Sequence, residues 1–280
     1  PRPGHADLAG MLKYDRRDAR DILERASARE TAARTVAGFL AKALLAEIGI
    51  TIVSHVIRIG PETASGVRPG PGDLAAVDRS PVRSFDPDAA ERMVTAIDDA
   101  KELRDTLGGV IEVLAYGVPP GLGSHVHFDR KLDGRLAGAV ASIPGIKGVE
   151  IGDGFAVAAG PGSAAHDEIE YVGDGFRRRT NRAGGIEGGI TTGEPIAVRA
   201  AMKPISTLMQ PLDTVDVVKN EADKAFRERS DVCAVPAACV VAEQMTAFVL
   251  ADEALRKFGG DSVSEFTAAH RAYRERLESW

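Results

Sequence analysis

Apolar residues recur at helical spacing from Asp18 to Ile48, where Ile22, Ala26, Ala33, Val36 and Leu40 mark one face. Asp18 can cap the start and Gly49 can end the run, so the pattern predicts one long helix with an alanine-rich face. Ile50–Ile59 is rich in β-branched residues and reads as a strand. Residues 60–85 hold the Pro and Gly of a surface excursion. Asp86-Pro87 opens a second helix over 87–107, with a stripe of Met93, Val94, Ile97, Ala100, Leu103 and Leu107 and a stop at Gly108-Gly109. A strand over Val110–Tyr116 and a helix near Arg130–Ser142 follow. Residues 156–186 are rich in glycine and charge and show no periodicity, as expected of a long loop that is functional or disordered. Residues 188–207 read as a hairpin turning at Gly193-Glu194, and Thr214–Val218 as a further strand. From Val235 to Phe258 the chain is almost entirely apolar, which predicts a deeply buried helix with Pro236 in its first turn. A last amphipathic helix runs from Ser262 to the end. Strands and helices mix without regular βαβ alternation, so the expected class is α+β, in layers, and not a dinucleotide-binding fold.

Composition narrows this picture only modestly. A chain of 280 residues can bury a full core, as one large domain or two modest ones. Charge and glycine interrupt the apolar runs, so none is expected to span a membrane. With 35 basic and 41 acidic residues the net charge is −6, which argues against a nucleic-acid binder. Two basic clusters, 175–182 and 226–231, remain able to attract an anion. Cys233 and Cys239, six apart and so on different faces of a helix, are too few for a disulfide framework and wrongly spaced for zinc. A reduced, cytoplasmic setting is the reading they favour.

Several stretches could carry chemistry, each with a plainer alternative. "RPGHAD" (2–7) places a cation, an imidazole and a carboxylate around a Pro-Gly turn, where a solvated loop histidine is the plainer reading. In "ERASARET" (24–31), Arg25 and Arg29 would share a helix face, as ion-pair partners at the surface or as anion ligands. "KPIST" (203–207) offers a lysine, hydroxyls and backbone amides suited to phosphate, or simply a turn. In "RSDVCAVPA" (229–237), Asp231 fits an ordinary helix N-cap or a functional carboxylate. "HVHFD" (125–129) alternates His125, His127 and Asp129 as metal ligands might, though exposed loop histidines are commoner. The glycines of "NRAGGIEGG" (181–189) match neither dinucleotide nor Walker loops and would let backbone approach a flat ligand.

In this order and wording the stretches resemble chorismate synthase, with "IKGVEIGDGF" (146–155) and the C-terminal "KFGGDS" helix extending the likeness along the whole chain. The resemblance implies a layered α+β sandwich, with helices packed between antiparallel sheets, in a homotetramer. It implies one domain over 1–280. Family members begin with a further segment carrying a GESHG-type motif and a second catalytic histidine, and no stretch here matches it.

The implied reaction removes phosphate and a proton from 5-enolpyruvylshikimate 3-phosphate to give chorismate, with reduced FMN as cofactor and no net redox change. By resemblance, His5 and Asp231 are the catalytic residues and Arg29 contacts a substrate anion. The flavin would lie against Arg25, Ala26, Ser27, Pro144, Gly145, Gly188, Lys203, Pro204, Ile205, Ser206, Thr207 and Arg229. NADP is associated with the family, and bacterial members typically take reduced flavin from elsewhere. The rival reading is a non-catalytic flavin- or anion-binding module of the same fold.

Overall fold

The computed structural model describes residues 1–173, 175–226 and 230–280. Helix α1 (Asp7–Tyr14) and the single turn α2 (Arg20–Leu23) precede the longer helix α3 (Thr31–Ala46). Asp18 does mark a start, since its Oδ1 accepts from Arg20 N at 2.9 Å. The helix expected to be continuous over 18–48 is broken, however. Ser27 is extended, at φ −68° and ψ 139°, and its hydroxyl accepts from Arg29 N to cap a 3₁₀ turn over Ala28–Glu30. A serine side chain that competes for backbone amides favours such a fresh start over an uninterrupted helix.

Strand β1 (Thr51–Ile59) and the short β2 (Glu62–Thr63) lead to helices α4 (Leu74–Arg79) and α5 (Pro87–Glu102). Asp86 caps α5 by accepting from Ala89 N. Helix α5 stops short of the expected Leu107. Arg104 takes a left-handed φ of 59°, Leu103 is exposed, and Leu107 N pairs with Val232 O at 2.9 Å. That pairing needs extended backbone, so it wins over another helical turn.

Next come β3 (Gly109–Tyr116), α6 (Leu132–Ala141), β4 (Ile146–Ile151), and the single turns α7 (Gly154–Val157) and α8 (Gly162–Ala165). The stretch expected to be a long loop holds a hairpin, β5 (Ile169–Val172) with β6 (Gly175–Arg178). The expected hairpin around Gly193-Glu194 is also corrected. β8 (Ile190–Thr191) pairs back with β7 (Ile186–Glu187) across Gly188-Gly189, both at positive φ as a two-residue turn demands. β9 (Ile196–Met202) instead joins β3 and β4. A small hairpin, β10 (Asp213–Asp216) with β11 (Glu221–Lys224), precedes the long α9 (Val235–Phe258) and α10 (Val263–Glu278). Cys233 lies ahead of α9, so the two free cysteines do not share a helix.

The main sheet is antiparallel in the order β2-β1-β3-β9-β4. One face carries Ile52, Val56, Ile111, Val113, Val198 and Ala200 into the core beneath α9. α3 packs in turn on α9, where Gly38 matters: a Cβ there would stand 2.3 Å from Gln244 Cβ. By length and composition α9 could cross a membrane, contrary to the expectation for the apolar runs. It is a core helix, with 67% of its most apolar window buried inside the fold. The alternation of strands and the mixed topology give the expected α+β class.

Candidate active site

Residues 2–5 form a tight turn in which His5 N donates to Arg2 O at 3.3 Å. Pro3 suits the second position, and Gly4 at φ +74° supplies the left-handed third position that a type II turn requires. The turn folds Arg2 and His5 back on Asp7, the first residue of α1. Asp7 Oδ2 accepts from Arg2 N at 3.0 Å and Arg2 Nε at 2.9 Å, while Oδ1 lies 2.5 Å from His5 Nδ1. Arg2 and Asp7 are both buried. Burial pushes the Asp7 carboxyl up, but the Arg2 hydrogen bonds and the nearby positive charge outweigh it and hold Asp7 below its usual range. His5 is lowered, first by burial and then by the Arg2 guanidinium, against the opposing pull of Asp7.

Beyond the end of β9, the run 203–207 closes on this turn. Lys203 N donates to Gly145 O at 2.9 Å, and Lys203 Nζ donates to Gly4 O. Thr207 Oγ1 accepts from Arg2 Nη1 at 2.8 Å, and Thr106 Oγ1 donates to Ile205 O at 2.8 Å. Among the described residues no acceptor pairs with the amides of Ile205, Ser206 and Thr207. Three donors and a lysine, itself lowered by burial and by Lys147, therefore stand together, a set of groups suited to a phosphate.

These segments wall a cleft of about 730 Å³. His5, Ala26, Ser27 and Arg29 line it, with Pro144, Gly145 and the whole of Lys203, Pro204, Ile205, Ser206 and Thr207. Asp231 also lines it and is exposed. It is not a helix cap, because α9 begins after Ala234 without any side-chain cap. The volume lies within the range of small-molecule and cofactor sites.

Two predicted residues, Arg25 and Gly188, stand apart. The break before α3 separates Arg25 from Arg29, so the two do not share a helix face. Arg25 lines a neighbouring hollow with Lys13, Tyr14 and Arg16, which shares only Ala6 and Ala26 with the cleft. Arg29 is exposed, 3.8 Å from Glu24, and not held in a buried helix. Gly188 serves the β7–β8 turn and does not line the cleft. Arg229 lies outside the described residues. His125 and His127 are exposed, and the described residues contain no cluster of three or more metal-ligating side chains. The sequence reading gave no role to Arg2 or Asp7, whose only signal was their spacing around His5.

Known proteins resemble this chain along nearly its whole length. The family model for chorismate synthase matches residues 1–255. The chain is 60% identical to the chorismate synthase of Thermobifida fusca, over 99% of its own length and 71% of that protein. It is 64% identical to the chorismate synthase of Salinispora tropica, over 95% of its length and 68% of that protein. A crystal structure of chorismate synthase superposes with a TM-score of 0.85 at 45% identity, covering 98% of this chain and 77% of that one. Nothing in these likenesses supports a non-catalytic module, and the chain belongs to the chorismate synthase family, which are lyases.

Proposed function

We propose that this cleft holds reduced FMN beside 5-enolpyruvylshikimate 3-phosphate and eliminates phosphate from the latter to give chorismate. The observation that carries the reading is the convergence of the His5 turn, the 203–207 run and Asp231 on one cleft. The residues present fit the flavin: open amides at 205–207 and Lys203 suit its phosphate, while Ile205, Met202 and Pro144 offer apolar wall to a flat ring. Reduced flavin, when bound, supplies electron density to the substrate as phosphate leaves.

The chain's own residues handle charge and protons. His5, protonated, steadies the negative charge growing on the departing phosphate. Its lowered pKa in the free protein reflects burial and Arg2; a phosphate dianion beside it supplies the opposite charge and raises it again. The Asp231 carboxylate, free of hydrogen bonds among the described residues, can take a proton at flavin N5. Arg29, paired only loosely with Glu24, is free to swing onto a substrate carboxylate. A homotetramer belongs to the same reading, supported by the exposed Val36, Phe39 and Leu40 on α3 and Phe248 on α9. A sedimentation mass near four times 29.5 kDa is its check.

Anaerobic titration of reduced FMN against the wild-type chain and Lys203→Ala tests the cofactor assignment. Loss of one charge-assisted phosphate contact predicts an affinity roughly 10- to 100-fold weaker in the variant. Equal affinities would remove the 203–207 run from the flavin site.

A further inference from the structure

Asp7 occupies the first turn of α1, where a carboxylate ordinarily serves the helix by accepting from its free amides. Here it does not. Its partners are Arg2 and His5, both ahead of the helix, and α1 has no side-chain cap at all. Both carboxylate oxygens are committed: Oδ2 to Arg2 N and Nε, Oδ1 to His5 Nδ1 at 2.5 Å and to Arg2 Nη2 at 3.2 Å. Arg2 is itself pinned to Thr207 across the cleft wall. The carboxylate therefore cannot turn away from the imidazole without breaking several buried hydrogen bonds.

We propose that Asp7 is a positioning residue for His5: it fixes the ring as the Nδ1–H tautomer and so leaves Nε2 as the atom that takes up and releases the proton. The inference rests on the reading of His5 as the group that meets the departing phosphate. An ionised carboxylate can only accept, so the hydrogen between it and the ring belongs to Nδ1. Nε2 then carries the lone pair; Arg2 Nη2 lies beside the ring, 3.3 Å from Nε2 and 3.2 Å from Nδ1. An anionic oxygen bound to that guanidinium is brought close to Nε2. The charged groups around the ring are Arg2 and Asp7 on its own segment and Lys203 from beyond β9; the two cations oppose its protonation and Asp7 favours it. An anion that offsets the cations tips this balance. Asp7 thus sets which nitrogen responds, and the anion sets when.

The test is nitrogen-15 NMR of the full chain with labelled histidine, with His5→Gln identifying the signal among the six histidines. The expected neutral ring in the wild type is Nδ1–H. In Asp7→Asn the carboxamide can donate to Nδ1, so the ring moves toward Nε2–H, the same logic by which an Asp-to-Asn change spoils a catalytic triad. Asp7→Glu restores the Nδ1–H form in part. Turnover should follow, with kcat falling at least about tenfold in Asp7→Asn while KM and reduced-FMN affinity stay within about twofold. A wild-type ring in the Nε2–H form overturns the proposal without recourse to any variant. So does an Asp7→Asn protein that folds yet keeps both the tautomer and the pH profile of kcat. The tautomer is read without catalysis, so an Nδ1–H ring in a protein whose turnover ignores His5→Gln would refute the cleft reading and leave the Asp7–His5 pair standing.

Discussion

Glu112 keeps its charge inside the fold because two arginines and a histidine surround it. His55 Nε2 lies 3.2 Å away, Arg199 Nε 2.8 Å and Arg68 Nη2 2.9 Å. Burial pushes the carboxyl up, but hydrogen bonds from His55, Arg68 and Arg199 outweigh it and hold Glu112 at about 2. Its folded pKa is thus below the unfolded value of 4.5, so the stability it contributes is complete above pH 4.5 and is lost as pH falls toward 2. The shift corresponds to about 3 kcal/mol. Glu112→Gln should lower stability at pH 7 by about that amount, since two arginines lose their partner, and should flatten the decline below pH 4.5. Urea unfolding at several pH values reads both; an unchanged slope would show that Glu112 does not carry it. Strand alternation in the sequence puts His55, Glu112 and Arg199 in strands but cannot give the register that lines them up. Nor does it reveal Arg68, which arrives from the Pro- and Gly-rich excursion. His5 and Lys203 stood out because each sits in a distinctive run of residues; the Pro-Gly turn was legible as well, but not that it folds Arg2 and His5 onto Asp7.

α3 and α9 show where periodicity succeeds and where it stops. The continuous apolar content of α9 announced a buried helix, and Ser262 with Glu265 forms the capping box that starts α10. Apolar spacing could not show that Ser27 would divert the chain, because a side chain bonding to the backbone leaves the hydrophobic period undisturbed. It also misread α5 at its far end, where Leu107 pairs with Val232, and assigned β8 to the wrong partner, since a glycine pair closer by made the shorter hairpin. Contact between α3 and α9 depends on Gly38. Replacing it by alanine gains about 1 kcal/mol of helix propensity but drives a Cβ into the Gln244 backbone, 2.7 Å from its Cα. Overpacking of that kind costs about 1–3 kcal/mol, so Gly38→Ala should lower the melting temperature. A higher melting temperature would mean that the helices separate freely and that their close approach is not a constraint.

The sheet, the paired helices and the excursion together hold three distant stretches of sequence around one space. β9 delivers Lys203 beside the Gly145 carbonyl, and the turn before α1 meets the same run through Gly4 and Thr207. Val232 is tied to Leu107, and Asp231 just before it lines the same cleft. The family likeness pointed to these runs, and the fold brings His5, Ser27, Lys203 and Asp231 to one cleft while Gly188 and Arg25 stand away from it. With His5 acting, as proposed above, on charge that develops as phosphate leaves, its loss must appear in the transition state rather than in cofactor binding. The direct measurement is steady-state chorismate formation under anaerobic conditions with excess reduced FMN, comparing wild type and His5→Ala. The expected result is a kcat lower by roughly 10²- to 10⁴-fold with reduced-FMN affinity unchanged. An unchanged kcat, or a loss that excess flavin restores, would contradict it.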